Sequence, residues 1–177
     1  MDQSLSLSEH SANTYKKAVG RLYLLTRLRS QLTVKAATCI YQSMVLPLFT
    51  YCSIITCQTS NTHKQKVKSF EDRARKVIFR KQPTENTIPS IDHLMKKKLC
   101  LNVFKCLNEN TCEHLENYFD VMLNNTRNNN KLIRLPKIRL ESTKKSFFYF
   151  GAKCFNELPL SIRSAQNIKE FLSYFDN

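Results

Sequence analysis

The sequence predicts a mainly α-helical protein, a bundle of about five to seven helices with one short extended or β segment near residues 132–150. Three observations carry that expectation. In 177 residues there are only two glycines and five prolines, too few for the tight turns of a β-sandwich or barrel. Apolar residues recur at helical spacing along most of the chain, with charged residues on the intervening positions. Residues 36–62 hold no charge at all in a chain that is 24% charged, so one stretch belongs inside and the others pack around it. The length suits one domain, or one domain with an appendage, and suffices for a real core.

Residues 11–30 read as an amphipathic helix. Tyr15, Ala18, Val19, Leu22 and Leu25 share one face, and Lys16, Lys17, Arg21 and Arg27 lie across from it. Leu24 and Leu28 sit among the basic side chains, available to a second partner. Gly20 costs this helix up to about 1 kcal/mol unless it permits close packing.

The uncharged stretch from Leu32 to Ser60 reads as a buried helical pair. Thr33 is a fair N-cap, and Ala36, Ala37, Ile40, Met44 and Val45 recur at helical spacing. Pro47 removes a backbone donor and clashes with the preceding turn, so the helix kinks or restarts there. Leu48, Phe49, Cys52 and Ile55 carry the apolar face onward. A membrane span is the competing reading, but Gln42, Ser43, Thr50, Ser53, Thr56 and the proline interrupt it. A core hairpin is expected, and no membrane partner.

Asn61 or Thr62 then caps a helix to about Arg80, with Val67, Phe70, Ala74, Val77 and Ile78 inward. Ser90 caps a further helix through about Asn108, with Leu94, Leu101, Phe104 and Leu107 inward and Lys96 to Lys98 as its wet face. A shorter helix is expected from Cys112 to Leu123. An Asn-rich insert follows, so the expected division is a bundle over residues 11–123, a linker at 124–131 and a tail over 132–177. In the tail, Leu132, Ile133, Leu135, Ile138 and Leu140 alternate with Arg134, Lys137 and Arg139, and Pro136 confines any strand to an edge. Phe147 to Phe150 and Phe155 concentrate aromatic bulk around Gly151, most simply as core. Asn167 with Glu170 resembles a capping box before a last helix carrying Ile168, Phe171, Leu172 and Phe175.

The net charge is +14, and its placement says more than its size. Between His10 and Phe70 there are nine Lys or Arg and no acid; residues 64–81 hold eight basic and two acidic side chains; residues 127–145 hold seven against Glu141 alone. Such a field attracts polyanions, and nucleic acid is the usual one.

Enzymatic chemistry finds little footing. Gly20 and Gly151 stand alone, so no Gly-rich phosphate loop exists. No Ser, Cys or Thr sits in a nucleophile signature. The only adjacent acids, Glu71 and Asp72, lie on a basic helix, where pairing with Lys68, Arg75 or Lys76 is expected. The seven cysteines lack paired metal-ligand spacing, and residues 1–9 show no secretory leader, so free, buried thiols and an intracellular setting, nuclear or cytoplasmic, are expected. No metal or cofactor is expected.

Four phrases carry a resemblance. Tyr41-Gln-Ser-Met-Val-Leu-Pro47-Leu-Phe-Thr-Tyr51-Cys-Ser53 resembles the stretch after the catalytic palm in non-LTR (LINE-type) retrotransposon reverse transcriptases of the jockey and chicken-repeat groups. Phe70-Glu-Asp-Arg73-Ala74-Arg-Lys-Val-Ile78 and Leu101-Asn-Val-Phe104-Lys105-Cys-Leu-Asn108 are similar to the two helices that follow. Gly151-Ala-Lys-Cys-Phe155-Asn156-Glu-Leu158-Pro159-Leu-Ser-Ile162-Arg163 resembles the closing Gly-x-x-x-Trp-Asn-x-Leu-Pro-x-x-Ile-Arg segment, with Phe155 in place of Trp. The four stand in the family's order over about residues 10–175. The resemblance implies the thumb-like region and tail of an RNA-directed DNA polymerase, without the palm's Ala-Asp-Asp metal site and so without activity of its own. RNA or RNA–DNA hybrid, and a palm, are the implied partners.

Charge and resemblance together nominate three cationic groups for phosphate contact: Lys16, Lys17, Arg21, Arg27 and Lys35; Arg73, Lys76, Arg80 and Lys81; and Arg134, Lys137, Arg139, Lys144 and Lys145. The alternative expectation is an orphan helical scaffold or protein-interaction module whose charges only solubilise it.

Overall fold

A continuous apolar stripe accounts for the first helix, α1 (Ser8–Leu28), whose Ala18, Leu22 and Leu25 are buried. In the computed structural model, residues 8–51, 60–80, 88–108, 119–123 and 131–176 are described. The protein is mainly α-helical, with one two-stranded antiparallel sheet among the described residues. The chain groups into two compact units, Met1–Met95 and Lys96–Asn177.

In the first unit a 3-10 turn, Arg29–Gln31, ends α1, and Thr33 caps α2 (Val34–Ile40) by accepting the Ala36 N–H at 3.2 Å. The uncharged stretch differs from the expected hairpin about Pro47. After α2 the backbone widens into a π turn, Tyr41–Val45, and continues as α3 (Leu46–Thr50) with Pro47 in its first turn. The Leu46 N–H reaches back five residues to the Tyr41 carbonyl. Widening gives the proline ring room that a regular turn denies it, so the helix restarts without folding back. The second arm expected over residues 52–59 lies outside the described residues.

The buried face of this stretch is Ala37, Tyr41, Val45, Leu46 and Phe49. Met44, expected inside, is half exposed, because the π turn shifts the register of the face. Ser60, one residue before the expected cap, accepts the His63 N–H at 3.3 Å and starts α4 (Asn61–Phe79). From α4, Phe70, Ala74 and Ile78 join the α1 and α2–α3 residues in one core, closed by Ile88 and Ile91. Phe49 and Tyr15 pack their rings on Phe70, at centroid distances of 5.4 and 6.0 Å.

Helix α5 (Ile91–Asn108) starts as expected at Ser90, whose hydroxyl accepts the His93 N–H at 3.2 Å. Its most buried side chains from residue 96 onward are Leu99, Cys100, Val103 and Phe104, whereas Leu101 and Leu107, expected inward, are only partly buried. The helix buries more than one face, and a single stripe does not describe it.

The second unit corrects the tail. Val121–Leu123, expected to end a helix, is strand β1; it pairs antiparallel with β2 (Lys131–Ile133), Val121 opposite Ile133. Three apolar residues suit either state, and a partner strand beyond seven intervening residues decided it. The pairing puts both sides of the expected linker into one unit; Lys131 is in the strand, and residues 124–130 lie outside the described ones. The expected β segment is β2 (Lys131–Ile133), and residues 134–140 carry no regular secondary structure. Residues Glu141–Lys144 form α6 and Phe147–Asn156 form α7, which Ser146 caps by accepting the Tyr149 N–H at 3.3 Å.

Short helix α8 (Leu160–Arg163) begins after Pro159, and α9 (Ile168–Asp176) closes the chain. The expected cap is present in a shifted form: Asn167 Oδ1 accepts the Glu170 N–H at 2.8 Å, and Glu170 reaches back one residue past the N-cap to accept the Gln166 N–H at 2.9 Å.

The phrase Gly151 to Arg163 is a folding device, residue by residue. A Cβ on Gly151 would stand 2.9 Å from Val103 Cγ2, so α7 can approach α5 only through a glycine. Phe155 is buried, stacked on Phe171 at 6.5 Å. Asn156 clamps β2 with its amide, accepting the Ile133 N–H at 3.0 Å and donating to the Ile133 carbonyl at 2.8 Å. Arg163, also buried, donates Nε to the Leu158 carbonyl at 2.9 Å.

Candidate nucleic-acid interface

In the first unit the buried stripes of α1 and α4 turn their basic residues outward. Lys16, Lys17 and Arg27 of α1, Lys35 of α2, and Lys76 and Arg80 of α4 are exposed. Among the described residues the side chains of Lys16, Lys17, Lys35, Lys76 and Arg80 make no hydrogen bond or ion pair, so their charge faces solvent. Two other nominated residues fasten helices together. Arg73 donates to the Tyr15 hydroxyl at 3.0 Å, which ties α4 to one flank of α1. Arg21, half-buried, donates to the Met44 carbonyl on another flank. Arg27 stands 6.0 Å above the Tyr23 ring, an exposed cation–π pair. Arg80 closes α4 at φ 55°, a conformation that glycine adopts more readily than arginine. Lys81 lies outside the described residues.

The tail cations belong to the second unit. Arg134 is paired with Asp120 at 3.4 Å and Lys144 with Glu141 at 2.5 Å, both pairs at the surface. In the latter pair the mutual hydrogen bond holds the Glu141 carboxyl below and the Lys144 ammonium above their ordinary ranges. Lys137, Arg139 and Lys145 are exposed and unpartnered among the described residues.

Two charged residues that matter most to the first unit's geometry were not nominated. Arg29 falls in register with Ala18, Leu22 and Leu25, and it is buried. Its guanidinium collects carbonyls at the C-terminal end of α4, Nε on Val77 at 3.2 Å and Ile78 at 3.0 Å and Nη2 on Ile78 at 2.7 Å, while Nη1 reaches the Leu32 carbonyl after the 3-10 turn at 2.6 Å. A fixed cation thus satisfies orphan carbonyls where the helix dipole is negative, and it sets α4 beside α1. The apolar register was the signal that could have found it.

Glu71 was expected to pair within its own helix. Instead it is buried and accepts the Ile91 N–H at the first turn of α5, a donor with no intrahelical partner. Burial pushes its carboxyl above the ordinary 4.5, against the pull of the Ile91 N–H and of Arg75. It lines a cleft of about 480 Å³ floored by Phe49, Val67, Ile91 and Met95, where the buried Ser11 hydroxyl has no partner among the described residues. Nearby, burial also raises the Tyr41 hydroxyl, helped by Glu71 and opposed by Arg75. Burial and then Lys66 lower the His63 imidazole, which therefore adds no charge to the cationic face at neutral pH.

A carboxyl raised by folding holds more protons folded than unfolded, so its ionisation opposes folding. Stability linked to Glu71 is therefore greatest in acid and falls as pH rises from the ordinary carboxylate value through the raised one. Glu71→Gln keeps an acceptor for Ile91 and is expected to gain on the wild type across that window. Urea denaturation at neutral pH and in acid checks this: the gap should open at neutral pH and close in acid.

Among the described residues no group of three His, Cys, Asp or Glu side chains gathers where a metal could be held, and no helix is long and apolar enough to cross a membrane. Cys100, Cys106 and Cys154 are buried, whereas Cys39 is exposed, where a buried thiol was expected. Among the described residues the arrangement offers unpaired cations on two adjacent helices. No family model matches the chain, and neither the curated proteins nor the solved structures yield a match.

Proposed function

We propose that this chain is a non-catalytic thumb and tail of a LINE-type reverse transcriptase, gripping RNA or an RNA–DNA template–primer through the outer faces of α1 and α4. The observation that supports the reading most is the acid-free run between His10 and Phe70, whose lysines stand exposed and unpaired beside those of α4. Contacts of this kind hold phosphates and leave base sequence unread. The Asp-Asp metal pair of that family is not in this sequence, so polymerisation would belong to a palm and this chain would contribute grip.

Two double variants test the reading: Lys16→Glu with Lys17→Glu, and Lys76→Glu with Arg80→Glu. In fluorescence anisotropy with an RNA–DNA hybrid of arbitrary sequence, each pair is expected to weaken binding at least about tenfold and to flatten its salt dependence. Unchanged affinity in both would refute the grip. The exposed leucines of α1, which phosphates do not need, favour a second role for this unit in protein interaction.

A further inference from the structure

The outer face of α1 carries more than charge. Tyr23, Leu24 and Leu28 are 61%, 58% and 51% exposed. Met44, whose carbonyl takes the Arg21 guanidinium, adds a side chain 50% exposed at the flank. Beside Tyr23 and Leu24, at helical spacing, lies Gly20, and nothing stands within 4 Å of the place its Cβ would occupy. A glycine inside a helix weakens it relative to alanine. Gly151 repays that weakness by letting another helix approach, but Gly20 has no such neighbour among the described residues. Lys16, Lys17, Arg21 and Arg27 ring the patch.

We propose that this face seats an acidic amphipathic helix of a partner protein, its leucine-type side chains on Leu24, Leu28 and Met44 and its backbone close over Gly20. Charge selects the occupant. A second copy of this chain would bring like charges together, since nine Lys or Arg and no acid lie between His10 and Phe70. Nucleic acid would satisfy the cations but offers little aliphatic surface to two leucines. A lipid surface would need an apolar stripe along the helix, and here the apolar residues span little more than one turn. A helix with an apolar stripe and flanking carboxylates meets all three features at once.

The test uses the full chain and a synthetic helical peptide of glutamates bearing a leucine stripe. A peptide of the same composition with the stripe scrambled is the control. Isothermal titration is expected to show the striped peptide binding at least about tenfold tighter than the scrambled one. Leu24→Ser with Leu28→Ser, and separately Gly20→Met, should each erase that difference. These positions are solvent-facing, so circular dichroism should show the fold intact. Gly20→Ala, which adds one methyl and strengthens the helix, should weaken binding less than Gly20→Met. Equal binding of the two peptides, or a preference that survives the leucine variants, would overturn the proposal. So would the leucine variants abolishing self-association, RNA binding or phosphatidylserine-vesicle binding while leaving the peptide preference unchanged. The nucleic-acid reading fails separately, through the lysine and arginine variants of the preceding section.

Discussion

Arg29→Ala is expected to destabilise the folded chain by about 3 kcal/mol, an effect of core size from a residue that reads as one more surface cation. The side chain is 8% exposed and donates to Leu32, Val77 and Ile78 carbonyls. Truncation leaves the Val77 and Ile78 carbonyls unsatisfied at the end of α4, frees the Leu32 carbonyl, and removes the charge that complements the helix dipole. Arg29→Lys should recover only part of the loss, since an ammonium cannot present the same planar fork to carbonyls on two elements. Urea denaturation measures both, with the midpoint falling and the slope unchanged. A midpoint within error of the wild type would mean that Arg29 does not hold α4 to the end of α1.

Phe171→Ala should cost more, about 3–5 kcal/mol, and its effect belongs to the second unit. Phe171 is fully buried and meets Phe104 at 4.6 Å, Phe175 at 5.4 Å and Phe155 at 6.5 Å. A terminal helix of nine residues is too short to persist alone, so its order depends on that ring. Amide exchange in α7 and α9 should therefore accelerate together in the variant. If α9 alone became unprotected while α7 kept its protection, the ring cluster would not be a shared core.

How much of this was legible in the sequence depended on how local the deciding interaction was. The α1 stripe, the Thr33 and Ser90 caps and the Asn167–Glu170 cap involve residues within a turn or two, and they could be read directly. Val121–Leu123 could not, because its state depends on Lys131–Ile133 and on the Asn156 amide beyond that. Pro47 was read as a point where the helix kinks or restarts, and a helix does start there, though not as the joint of a hairpin. The π turn that accommodates it exposes Met44 and buries Tyr41, and no spacing rule anticipates that shift. Arg29 was passed over and Glu71 was assigned a partner within its own helix, although Arg29 is in register with the α1 stripe and Glu71 adjoins Phe70 of the α4 stripe. Helix ends supply orphan donors and acceptors that make such burial affordable. The cationic faces of α1 and α4 were legible as groups, but the internal partners of Arg21 and Arg73 required the fold.

The claim most open to test is that the free lysines of the first unit act on phosphates. Titration of the full chain with RNA–DNA hybrid over rising salt is the direct measurement. Log affinity is expected to fall linearly with log salt, with a slope near −0.9 for each phosphate contacted and about four or five contacts in all. An affinity that does not change with salt would contradict the claim.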